Sequence, residues 1–255
     1  MVADDPIERF ATVIAQGDDL ALDEACFVIA LGAHPDLDVD LQRSRLDELA
    51  DGVPEPTVDA LVRHLCDELG FAGDRATYHD ARNSLLPDVL DRRLGLPISL
   101  AIVAIEVGRR IGVPLVGVGM PGHFLVRSVP DASRYVDLFD GGRALDAGEC
   151  RAVFERLHPR VEWQDRFLQP VGPSTIVARV LANLANAHRR AGDRDQLVAA
   201  LELRLRMPGS SLQERRELAV LLGSVGRFTR GAEVLEATGE ASDRDSALRL
   251  RARLN

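Results

Sequence analysis

Of the six histidines in this 255-residue chain, His123 stands in a setting that could do chemistry. It directly follows Gly117-Val118-Gly119-Met120-Pro121-Gly122, and Asp137 lies 14 residues further on. Two β-rich runs, Phe124 to Val129 and Arg134 to Phe139, flank the turn cluster Pro130-Asp131-Ala132-Ser133 and predict a hairpin. Side chains alternate with period two along a strand, and directly opposite residues share a face. With an even register, for example Val129 opposite Ser133, His123 and Asp137 project from one face, diagonally adjacent. A carboxylate beside an imidazole fixes its tautomer and supports the imidazolium, which is the orienter-and-base half of a catalytic triad. The bland counterpart is a structural His–Asp hydrogen bond.

Other chemistry is less legible. The Gly117–Gly122 string spells G-x-G-x-x-G, but it runs into a strand pattern rather than a helix, and Pro121 removes a donor. It reads as a bend between two strands, not as a dinucleotide cradle. No His-x-x-x-His pair occurs, and Cys26, Cys66 and Cys150 are scattered, so no metal site and no cofactor is expected. Cys26 and Cys66 fall on apolar helical faces and read as small buried hydrophobes.

The elements that position these residues form three regions: a helical region over 1–80, an α+β core over 81–170 and a helical tail over 171–255. A helix from about Pro97 to Ile111 is apolar nearly all round and is the predicted central helix, with Glu106, Arg109 and Arg110 as its one wetter face. Leu115 to Val118 reads as a further strand. One long helix followed by an antiparallel sheet, without βαβ alternation, gives an α+β class. In the tail a 34-residue shift superposes Leu184 on Leu218, Gly192 on Gly226 and Leu201 on Leu235. That period with a glycine between two helices is the tetratricopeptide signature, although the aromatic positions are mostly missing.

Composition narrows the classes. The chain is 46% apolar and 28% charged, with a net charge of −9, and all 31 of its basic residues are arginine. A lysine Schiff base is therefore excluded, and an acidic chain without a basic block is not expected to bind nucleic acid or an anionic membrane. The first residues lack the basic-then-apolar order of a signal peptide and no apolar run could span a bilayer, so a reduced, cytoplasmic protein is expected.

Four strings carry a resemblance: Tyr78-His79-Asp80-Ala81-Arg82-Asn83-Ser84-Leu85-Leu86, Leu94-Gly95-Leu96-Pro97-Ile98-Ser99-Leu100-Ala101, Pro121-Gly122-His123-Phe124-Leu125, and Asp137-Leu138-Phe139-Asp140-Gly141-Gly142. Together they resemble the bacterial SirB-type transglutaminase-like family, in which a transglutaminase-fold (papain-like) core carries a tetratricopeptide-like tail. Ala81 and Leu138 depart from its pattern. The resemblance implies that His123 and Asp137 match the base and orienter of active superfamily members, whose nucleophile is a Cys at a helix start. Gly95, Ala101 and Gly112 fit the offsets around that Cys and put Pro97 in its place. Asn83, Pro97, Gly122 and Phe124, within these strings, are the candidate binding residues.

Two hydroxyls compete for the vacated role. Ser99 reads as an N-cap or first-turn contact. At about 100° per residue it lies roughly 200° around the helix from Pro97, so no contact with His123 is expected. Ser84 cannot be placed relative to His123 from sequence. The leading expectation is a non-catalytic binding or regulatory protein with a protein or peptide partner. The alternative is an amidase or hydrolase using Ser99 or Ser84 with His123 and Asp137. A third reading is a scaffold for homo-oligomers.

Overall fold

The computed structural model describes residues 5–254. Its N-terminal third is helical: α1 (Pro6–Ile14), α2 (Leu22–Ala30), α3 (Val39–Asp51) and α4 (Val58–Val62), which runs on as a π-helical turn over Arg63–Glu68. Strand β1 (Ala72–Gly73) pairs in parallel with β2 (Leu94–Gly95), with α5 (Leu86–Arg92) between them. Helix α6 (Pro97–Arg110) follows, then β3 (Leu115–Val118), β4 (Leu125–Ser128), β5 (Tyr135–Asp137) and β6 (Arg143–Leu145). Helix α7 (Ala147–Leu157) precedes β7 (Pro170–Val171), and the sheet runs β6-β5-β4-β3-β7, antiparallel throughout.

Helix α6 is central because it has almost no polar face. Eleven of its fourteen residues are buried, and Pro97 at its first position costs nothing, since the missing N–H would have no intrahelical partner. The sheet is covered on both sides, so its strands alternate between two apolar clusters rather than between core and water. Val126 and Val136 join the main core with α6, whereas Val118, Leu125 and Tyr135 join a smaller cluster with Cys150 and Phe154 of α7.

The expected wet face of α6 is a correction. Glu106 is 2% exposed and accepts from the Leu22 N–H, Arg109 and Arg110, while Arg110 also binds buried Asp23. The triplet spacing marks an ion network between α6 and α2 in which Glu106, Asp23 and most of Arg110 are buried while Arg109 reaches solvent, since buried charges need partners. Sequence periodicity could not show the partner at Asp23, far upstream of Glu106.

The tail comprises α8 (Pro173–Ala191), α9 (Arg194–Arg206), α10 (Leu212–Ser224), α11 (Phe228–Glu236) and α12 (Ala241–Arg251). Gly192 and Gly226, at φ +72° and +78°, follow the first helix of each of two hairpins, a conformation only glycine adopts at no steric cost. The apolar positions paired by the 34-residue shift are buried in both hairpins: Leu184 and Leu218, Val198 and Ala232, and Leu201 and Leu235. The main apolar core runs unbroken from Phe10 in α1 to Ala247 in α12. Among the described residues no helix is long and apolar enough to cross a membrane.

Candidate functional site

The hairpin sets the site. Val126 pairs with Val136 and Arg127 with Tyr135, a register that puts position 129 opposite 133. His123, two residues ahead of β4, therefore lies diagonal to Asp137 at the end of β5, and His123 Nε2 is 2.6 Å from Asp137 Oδ2. A carboxylate only accepts, so Nε2 carries the proton, and in the neutral ring Nδ1 is the acceptor. No protein group among the described residues hydrogen-bonds Nδ1. The second oxygen of Asp137 accepts from the Asp140 N–H at 3.1 Å, so the carboxylate is held from both ends.

Supports lie behind the dyad. The turn before His123 needs Gly122 at φ +74°, and a Cβ there would collide with the His158 ring. His158 Nε2 donates to the Pro121 carbonyl at 3.1 Å. Arg179, from α8, donates to the His123 carbonyl at 2.7 Å and stacks on Phe124. The Phe139 ring meets His123 edge-on, with centroids 6.2 Å apart, and carries the Arg75 guanidinium on its face. Phe139 belongs to the Asp137–Gly142 string, whereas Arg179 lies in no motif. Arg179 lies 56 residues beyond the histidine it steadies, on a helix whose docking sequence spacing does not reveal.

A cavity of about 470 Å³ opens onto the dyad. Its walls include His123, Asp137, Pro97, Gly122, Phe139 and Tyr78, with Arg156 and Leu157 from α7. Among the described residues no serine or cysteine lines it. Ser99, 2% exposed, accepts the Leu96 N–H at 2.9 Å and donates to the Asn83 carbonyl at 2.7 Å. It is buried at the helix start among backbone partners and does not line this opening. Ser84 is 4% exposed and lines a neighbouring cavity instead.

Of the other binding candidates, Phe124 is 1% exposed and belongs to the main core, with Arg179 of α8 on its ring; it does not line the cavity. Asn83 is fully buried, donates to the Thr77 carbonyl and accepts from Arg92, which also binds Asp74. Burial would raise the Asp74 carboxyl, but hydrogen bonds from Thr77 and Arg92 outweigh it and hold that group well below the usual carboxylate range. This network clamps the start of α6, so the Asn-Ser string is a positioning device for Pro97. Pro97 and Gly122 alone of the four binding candidates line the dyad cavity.

The native thiols are poorly suited to attack. Burial pushes the Cys26 thiol far up, Cys150 up to about 12 and Cys66, also repelled by Asp67 and Asp137, up to about 11. Among the described residues no group of three metal-ligating side chains gathers.

Comparison with known proteins follows this geometry. The transglutaminase-like superfamily profile matches residues 35–182, more than half of the chain. A UPF0162 protein of Xylella fastidiosa is 41% identical over 186 residues, covering 66% of this chain and 65% of its own. A UPF0162 protein of Pseudomonas aeruginosa is 42% identical over 134 residues, 52% of this chain and 48% of that one. Human F-box only protein 21 is 37% identical over 144 residues, 53% of this chain and 22% of its own. The chain thus spans less than two thirds of the length of these relatives. No solved structure matches.

Proposed function

The chain belongs to the transglutaminase-like superfamily, and from that premise we propose a non-catalytic, SirB-type member: a cytoplasmic binding or regulatory protein. Its dyad cavity takes a peptide or protein segment, and the helical hairpins of the tail, read as tetratricopeptide-like, offer a second surface. One observation carries the reading. Pro97 shares the walls of one cavity with His123 and Asp137, while no serine, threonine or cysteine among the described residues lines it. An oriented imidazole without a nucleophile still offers Nδ1 as an acceptor to a backbone N–H in a bound segment.

Covalent probes test this directly. Fluorophosphonate and iodoacetamide, applied to the full chain, are expected to leave no His123-dependent adduct. Peptides selected on the protein from a random display library are expected to lose binding in His123→Ala. An acyl or phosphonyl adduct on Ser99 or Ser84 that disappears in His123→Ala would move the chain into the hydrolases.

A further inference from the structure

A second cavity, of about 430 Å³, adjoins the first and shares Tyr78 with it. One wall comes from α8. Asn183, Asn186, Ala187 and Arg190 recur at helical spacing and form one face of that helix. The opposite wall is the Tyr78–Ser84 segment. Its polar groups are unspent in a one-sided way. Ser84 lines this cavity, and its Oγ is closed to solvent and has no hydrogen-bond partner, which is costly for a buried hydroxyl. Among the described residues no acceptor pairs with Arg190, and nothing binds the Asn183 carboxamide. Arg189, also in the wall, is held by Glu217 and Asn186. The single wall carboxylate, Asp80, is occupied by Arg82 through both oxygens.

Resting on the binding function proposed above, we infer that this second cavity captures a carboxylate of an acidic peptide, whose chain then crosses Tyr78 toward His123. The donors suit that group: the Ser84 hydroxyl, the Asn183 amide and the Arg190 guanidinium can all donate to a carboxylate, and charge-assisted bonds of this kind are about twice as strong as neutral ones. The chain's overall negative charge disfavours acidic partners elsewhere on its surface, so local arginine decides where one can land.

The test is fluorescence anisotropy with a labelled (Glu-Ala)5 peptide and its (Gln-Ala)5 twin, on the full chain at low salt. The Glu peptide is expected to bind at least about tenfold more tightly than the twin, equivalent to about 1.4 kcal/mol. Arg190→Gln, an exposed change that leaves the fold intact, is expected to remove that preference, whereas Arg227→Gln, just ahead of α11, leaves it. Ser84→Val should weaken the Glu peptide several-fold. Equal binding of the twins, lost in His123→Ala, overturns the acidic assignment and leaves the binding function standing. Binding of neither twin overturns the assignment and counts against that function as well. Equal losses in Arg190→Gln and Arg227→Gln overturn it as unspecific charge attraction. Displacement of the Glu peptide by inorganic phosphate but not by equimolar acetate overturns it in favour of a phosphorylated ligand.

Discussion

The two walls of the His123 cavity are built in opposite ways. On the hairpin side two polar side chains are buried, and both oxygens of Asp137 meet donors. On the helix side Pro97 lines the opening, and the hydroxyl two residues on, Ser99, is turned inward to serve the backbone. The hairpin holds an oriented imidazole–carboxylate pair, while the helix start presents a proline ring to the opening. The difference teaches that a dyad's geometry is maintained by its own supports. Gly122, His158, Arg179 and the Asp140 N–H hold His123 and Asp137 whether or not a nucleophile stands across from them.

The largest way to break this comparison is to remove one of those supports with its helix. In a chain ending at Gly172, Arg179 is lost and the surfaces that buried Ile176, Val177, Val180 and Leu181 are exposed, all four side chains being at most 2% exposed in the intact protein. Each such side chain contributes about 1.5–3 kcal/mol, and four together rival the whole ~5–15 kcal/mol stability of a domain. Aggregation or a non-cooperative melt is expected in calorimetry. A soluble monomer with a cooperative melt would instead make the tail an independent module.

A smaller change sharpens the division between wall and core. Phe124→Ala is expected to cost about 3–5 kcal/mol in denaturant unfolding, as for other buried aromatic truncations. The effect should be on stability, since the ring does not line the cavity. Full stability with lost ligand binding would return Phe124 to the site.

The smallest effect concerns the clamp on the helix start. Asp74→Asn is expected to cost about 1–3 kcal/mol, the usual range for a buried hydrogen-bonding group left partly unsatisfied. The folded carboxyl ionises below its ordinary value of 3.8. Its contribution is therefore complete above that pH and fades as pH falls below it. The Tm difference between wild type and Asp74→Asn should be full at pH 7 and shrink below about pH 4. A difference that grows in acid would show that Asp74 is not the charged partner of Arg92.

Legibility in the sequence follows the range of the physics involved. The β3 limits, the start of α6 and the diagonal placement of His123 and Asp137 rest on local periodicity and turn residues, and those signals were present. The hairpin parity needed only Pro130 to Ser133 and the alternation on either side. Strands β6 and β7, three and two residues long, carry no alternation to read, and α7 hid behind its loop neighbours. The burial of Glu106 depends on the Leu22 N–H and on Arg110, which Asp23 also holds, and the anchoring of His123 depends on Arg179; both are settled by packing over long sequence separations. The unpartnered Ser84 belongs to the same class, because its cavity exists only once α8 docks.

The central claim is that position 97 faces the dyad and lacks only a nucleophile. Pro97→Cys tests it most directly, since a thiol at a helix start beside an imidazole is expected to ionise readily. The native thiols give a slow background, with Cys66 at about 11 and Cys150 at about 12. At pH 7 the introduced thiol should react with iodoacetamide at least about tenfold faster than any native cysteine, the rate following the thiolate fraction. Adding His123→Ala should remove most of that gain. An introduced thiol that alkylates no faster than the native ones, or whose rate ignores His123, would contradict the placement of Pro97 across from the dyad.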